Sequence, residues 1–204
     1  MKSVRPLIIK ALTLIQKPTN NALAIDFGIG EGDETGYLLT HGYEVTAVDN
    51  FKEFLDEVLL RKEVQPYAHR LRSLHRNFEE VPWDQIPPVD LFVASFSLCF
   101  VQPEDFYRVW QHIVTQIKPG GYFVGELYTH LQENTQIDGL FVAESAGFIP
   151  FLSKQQIHEL LTDFETIYFS KAQDLYEPLN EPDPEEEGTI YSVIARKKDP
   201  AYSL

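Results

Sequence analysis

The apolar positions along the chain keep two rhythms, and these alternate. Ala22-Leu23-Ala24-Ile25 is an apolar run that continues into Asp26-Phe27 and reads as a strand. A short helix is expected from Asp33 or Glu34 to Thr40, and Glu44 to Val48 alternates like a second strand ending at Asp49. Phe54, Leu55, Val58 and Leu59 share one side of a helix over Phe51 to Lys62. Arg70 to His75 alternates weakly as a third strand, and Asp90 to Ser95 is apolar enough for a buried fourth. Phe106, Val109, Trp110, Ile113 and Ile117 return at helical spacing over Pro103 to Ile117. Lys118-Pro119-Gly120-Gly121 should stop that helix, with a fifth strand over Tyr122 to Leu127. Gln155 to Thr162 reads as a helix and Thr166 to Ser170 as a sixth strand. Before all of these, Pro6 to Gln16 forms an amphipathic helix with Leu7, Ile8, Ala11, Leu12 and Ile15 on one face.

Strands separated by helices imply an α/β fold, a doubly wound and mostly parallel sheet. Ligands in such sheets bind beyond the carboxyl ends of the strands. That rule places Gly28, Asp49, Asn77, Ser95 and Leu127 along one rim.

The first strand runs into Gly28, Gly30 and Gly32, spaced by two. A glycine turn between strand and helix lets backbone approach a ligand closely. The helix N-terminus beyond it suits a carboxylate or phosphate. An acid ending the second strand, here Asp49, can accept hydrogen bonds from two ribose hydroxyls. Together these describe a nucleoside ligand with an anionic tail. A dinucleotide site would place its third glycine three residues after the second, where this chain has Asp33.

The pattern Asp26-x-Gly28-x-Gly30-x-Gly32 followed by Asp49 resembles class I S-adenosylmethionine (SAM)-dependent methyltransferases. Val89 to Ser95 is similar to their fourth-strand motif, and Ile117-Lys118-Pro119-Gly120-Gly121-Tyr122-Phe123 to the element before their fifth strand. The short helix before strand one and the chain's tail are similar in layout to the tellurite-resistance-type (TehB-like) branch. Thr189 to Lys198 resembles the family's final strand, and the resemblance implies a Rossmann-like sheet of strand order 3-2-1-4-5-7-6, with strand seven antiparallel. It implies SAM as cofactor, with Asp26, Gly28, Gly30 and Gly32 around its methionine portion and Asp49 on the ribose. Asn50 would border the adenine. Asn77 stands where the family usually has an acid, and its carbonyl can still accept from the adenine amino group. Phe78 packs on adenine or belongs to the core. Ser95 and Phe96 should lie beside the transferred methyl.

A base is needed only if the acceptor is protonated at working pH. The rim offers Ser97, Glu126, Tyr128 and His130, and His130 is the first to test because its ordinary pKa is near neutral. A surface loop histidine is the plainer reading of His130. Arg5 could pair with a cofactor carboxylate, although a solvated surface arginine is the preferred reading. Cys99 lacks the preceding proline of cytosine-C5 methyltransferases and reads as a structural thiol. No cluster has metal-ligand spacing; His69 and His75 have no third ligand in reach.

Composition narrows the partners. The 204 residues carry a formal net charge of −14, which disfavours a nucleic-acid acceptor and favours a small molecule. No stretch is apolar enough to span a membrane. One cysteine fits a reducing cytoplasm. Lys2, Arg5 and Leu7 to Ile15 superficially mimic a secretory leader, but Lys10 interrupts the apolar run and cleavage after Ala24 would destroy strand one. The whole chain, 1–204, is expected to be one methyltransferase domain. It would have an N-terminal helix within 1–20, a partial lid over 128–150 and an acidic, proline-rich loop over 177–188. A SAM-binding or partner-docking module without turnover is the alternative function. A dinucleotide oxidoreductase is the third.

Overall fold

The computed structural model describes residues 4–15, 22–128, 152–172, 175 and 190–200. The proposed lid, apart from Tyr128, and the acidic loop lie outside the described residues, as does His130.

Seven strands form one sheet: β1 (Leu23–Phe27), β2 (Glu44–Asp49), β3 (Leu71–His75), β4 (Val89–Ala94), β5 (Ile117–Tyr128), β6 (Phe164–Lys171) and β7 (Ile190–Lys197). Their order is β3-β2-β1-β4-β5-β7-β6. β1 to β5 run parallel, and β7 lies antiparallel between β5 and β6. The fold expected from the sequence is the fold observed.

Among the described residues five helices cover the sheet: α1 (Pro6–Leu14), α2 (Asp33–Thr40), α3 (Lys52–Leu60), α4 (Phe106–Gln116) and α5 (Lys154–Leu160). The parallel strands are apolar on both faces, so each face builds its own core. Ile25, Phe27, Phe92, Ala94, Phe123 and Leu127 face α4 and α5. Ala24, Ala47, Leu91, Val93 and Val124 face α1, α2 and α3. In α1 the expected face is buried at Leu7, Ile8, Ala11 and Ile15, with Leu12 partly so.

Three details differ from the sequence reading. The Lys118–Gly121 segment does not separate helix from strand. β5 already begins at Ile117, which pairs with Val89, and pairing resumes at Leu91 with Tyr122. Residues 118–121 thereby stand opposite Asp90 alone as a bulge, with Gly120 left-handed at φ +77. Lys118 anchors the bulge through both oxygens of Asp90, at 3.0 and 2.9 Å. The loop after β3 also holds short 3-10 turns at Phe78–Glu80 and Trp83–Gln85. Finally, α5 starts one residue earlier than expected because Ser153 and Gln156 form a capping box. The Ser153 Oγ accepts the Gln156 N–H at 3.2 Å, and Gln156 Oε1 accepts the Ser153 N–H at 2.7 Å.

Candidate cofactor and active site

A cavity of about 560 Å³ opens beyond the carboxyl ends of β1, β2, β3 and β4. This volume suits a nucleoside-sized ligand. Gly28 and Gly30 line it from the turn after β1, Asp49 and Asn50 from the end of β2, and Asn77 and Phe78 from beyond β3. Ser95, Phe96 and Ser97 form the wall after β4. Seven of the nine residues expected to bind cofactor therefore meet in one place.

Asp49 is 6% exposed and prepared as an acceptor. Its Oδ2 takes the Gly30 N–H at 3.2 Å and its Oδ1 the Phe51 N–H at 2.9 Å. These bonds fix the carboxylate against the glycine turn and leave each oxygen a further lone pair. Asn77 is exposed at the cavity edge. Phe78 has a core contact and also reaches the cavity. Its ring stacks on Phe27 at 4.1 Å while the residue also lines the cavity.

The other expected residues stand back from the cavity. Asp26 is buried behind the turn, where its Oδ2 accepts the Thr35 hydroxyl at 2.6 Å. Gly32 caps α2 and lies so close to α3 that an added Cβ would meet Val58 Cγ2 at 2.6 Å. Glu126 and Tyr128 are buried on β5 and do not line the cavity. Glu126 accepts the Phe96 N–H at 2.9 Å. Burial, Cys99 and Glu126 push the Tyr128 phenol well above its usual range, so it stays protonated at neutral pH. The Cys99 thiol, donating to Phe96 O at 3.4 Å, is pushed up to about 11, chiefly by burial.

Arg5, read from the sequence first as a solvated surface residue and second as a partner for a cofactor carboxylate, is partly exposed and lines the cavity from the start of α1. Its backbone N–H donates to Glu34 Oε1 at 3.1 Å, and its guanidinium lies 3.8 Å from Glu34 Oε2. The guanidinium also donates to Ser95 O at 3.3 Å and sits 5.1 Å from the Phe96 ring centre. A lone arginine before Pro6 carries no spacing signal, so the sequence offered this place only as the lesser of two readings.

Asp26 makes the site sensitive to pH. Burial first, then the nearby Glu34 charge, raises its carboxyl from 3.8 to about 7. The folded chain thus binds more protons here than the unfolded chain between about pH 4 and 7. The associated stability is complete below the unfolded value and is lost as pH rises through about 7. Asp26→Asn keeps an acceptor for Thr35 without the charge. Its melting temperature should exceed that of the native chain at pH 8, by the equivalent of roughly 2–4 kcal/mol, and converge with it near pH 4. Parallel thermal melts across that range test this, and equal gaps at both ends would refute the assignment.

The comparisons with known proteins can now be set beside this geometry. Residues 25–125, about half of the chain, match the family model described as a methyltransferase domain. The chain belongs to this family. A search of curated proteins gave no match. Among solved structures, TehB from Haemophilus influenzae is 16% identical, with a TM-score of 0.70 over 97% of this chain. The chain spans 64% of the length of that TehB. The 1,6-didemethyltoxoflavin-N1-methyltransferase of Burkholderia thailandensis, solved with its substrate and S-adenosylhomocysteine (SAH), is 21% identical. Its TM-score is 0.66 over 96% of this chain and 78% of its own. An rRNA methylase from Streptococcus thermophilus is 13% identical, with a TM-score of 0.60 over 96% of this chain and 98% of its own. At these identities the likeness is one of fold.

SAM is the cofactor of this methyltransferase family. The cavity fits it on three observations. Gly30 is left-handed, and an added Cβ there would meet no atom within 4 Å, so the turn leaves open space on its ligand side. The Ser95 and Ser97 hydroxyls are buried on the cavity wall with no hydrogen-bond partner among the described residues. Asp49 offers a fixed carboxylate opposite them.

Proposed function

We propose that this methyltransferase transfers a methyl group from SAM to a small-molecule acceptor by direct displacement. The observation that carries the reading is the single cavity that joins the glycine turn, Asp49, Asn77 and the Ser95–Ser97 wall.

Bound there, the cofactor supplies an activated methyl and a neutral thioether leaving group. The chain then has to hold, align and exclude water. Asp49 accepts the ribose hydroxyls through its free lone pairs. Asn50 borders the adenine, the Asn77 carbonyl accepts from its amino group and Phe78 packs against it. Gly28 and Gly30 bring backbone against the methionine portion, with Asp26 and Gly32 shaping the turn from behind. Arg5 is the cation for the cofactor carboxylate. Ser95 lies beside the reacting methyl. His130 is the first base to test, ahead of Tyr128 and Glu126, whose burial keeps them from the cavity.

The acceptor is small and neutral or cationic. Glu79, Glu80 and Asp105 line the mouth of the cavity, and the chain carries a net charge of −14. Such a surface repels a polyanion. The oxidoreductase reading has no support. Cofactor binding without turnover remains the second function, motivated by Asn77 at the place of an acid.

Calorimetry with SAM and SAH tests the proposal. Both should bind the native chain, and Asp49→Ala should weaken binding by about 100-fold, as the loss of two hydrogen bonds to a charged group implies. No heat at millimolar ligand would end the SAM reading. Binding with no transfer across a broad panel of amines, hydroxyls and thiols would favour the non-catalytic module.

A further inference from the structure

Phe96 is left-handed, at φ 53, and no other non-glycine among the described residues has a positive φ. Bulky L-residues avoid this conformation, and observed cases point to an imposed constraint. The constraint is visible. Phe96 follows the end of β4, and its N–H is held at 2.9 Å by the carboxylate of Glu126 on the neighbouring strand β5. Glu126 is fully buried. Arg5 braces the same turn from the α1 side, through Ser95 O and over the Phe96 ring.

The turn changes what faces the cavity. In an extended strand successive side chains point to opposite faces. Ser95 and Ser97 would then share a wall and Phe96 would leave it. Here all three consecutive residues line the cavity, and both serine hydroxyls are buried with no hydrogen-bond partner among the described residues.

We propose that Glu126 is a positioning residue of the cofactor cavity: by accepting the Phe96 N–H it fixes the left-handed turn that sets Ser95, Phe96 and Ser97 on one wall. It acts through the backbone rather than as a base. The inference rests on the reading of this cavity as the SAM site.

The test is SAH affinity measured by calorimetry, well below the melting temperature of each variant. Glu126→Leu removes the acceptor and should weaken binding at least about tenfold, while Glu126→Gln keeps an acceptor oxygen and should recover it to within about threefold. In a Phe96→Gly background, where glycine adopts the turn unaided, Glu126→Leu should change affinity less than about threefold. Should Glu126→Leu not fold, Phe96 reports the same geometry. Phe96→Asn, which tolerates the left-handed region, should bind SAH at least about fivefold more tightly than the β-branched Phe96→Val. Equal losses for Leu and Gln at position 126, or a loss undiminished by Phe96→Gly, or equal affinities for Asn and Val at position 96, would overturn the role. Failure of the native chain to bind SAH would instead overturn the cofactor reading. Native binding with indifferent variants sinks the positioning role alone.

Discussion

Gly28→Ala should abolish cofactor binding and destabilise the fold together. Gly28 has φ +85, and an added Cβ would lie 2.5 Å from Ser97 Cβ and 3.1 Å from Phe78 Cζ. Neither neighbour can retreat without disturbing what it packs against. Ser97 is 2% exposed on the β4 side, and Phe78 is stacked on the fully buried Phe27. Left-handed strain costs about 1–2 kcal/mol, and overpacking adds about 1–3 kcal/mol. The melting temperature should fall by roughly 5–15 °C. Relief would come by pushing Ser97 and Phe78 apart, which distorts two walls of the cavity. Gly30→Ala separates the two effects. Gly30 is also left-handed, at φ +50, but an added methyl would meet nothing within 4 Å and would point into open space. This variant should lose only about 1–2 kcal/mol, yet bind SAH at least about tenfold more weakly, because the methyl occupies ligand space. Thermal melts and calorimetry on both variants give the comparison. Native affinity in Gly30→Ala would mean that the glycine turn does not touch the cofactor.

The second large effect concerns stability alone. Trp110 on α4 is 1% exposed and joins helix to sheet. Its ring meets Phe123 of β5 edge-on at 5.0 Å and Phe164 of β6 at 6.3 Å, and its Nε1–H donates to Leu160 O at 3.1 Å. Trp110→Ala leaves a cavity and an unpaired buried carbonyl. It should cost about 3–5 kcal/mol, with about 1 kcal/mol more for the orphaned acceptor. Urea unfolding checks the figure. The residue lies on the α4–α5 face and does not line the cofactor cavity. SAH affinity, measured while the variant is folded, should therefore stay within about twofold of native. A loss below about 1 kcal/mol would show that the α4 face repacks freely, against the contacts described.

Much of the architecture was legible because its signals are periodic. The mostly parallel sheet followed from alternating strands and helices, and its strand order from the family resemblance that the motifs around Gly28, Asp90 and Pro119 carry. The α4 face was readable residue by residue from Phe106 to Ile117. What failed to show was conformation without periodicity. Ile117 is both the end of a helical apolar row and a strand residue paired with Val89, and the pattern alone could not say which. The cofactor cavity was legible where a motif fixed backbone geometry, as at Gly28, Gly30 and Asp49. Where a residue arrives from another element, as Arg5 and Glu126 do, the sequence offered it as a candidate but did not show its contacts. Arg5 reaches the site across the sheet, and Glu126 reaches it through the Phe96 backbone. Such contacts depend on tertiary placement, which no local spacing encodes. Asp26 illustrates the reverse: its motif position was clear, but its burial behind Thr35 was not.

The place of β7 bears on how the chain is made. β6 pairs with β7, and β7 alone joins it to the rest of the sheet. During synthesis β1 to β5 can associate while the ribosome is still adding residues, but β6 must wait, its backbone groups without a ladder, until Ile190 to Lys197 has emerged. A nascent chain arrested or clipped before Ile190 would therefore present β6 without a partner and one open edge of β5 as templates for aggregation.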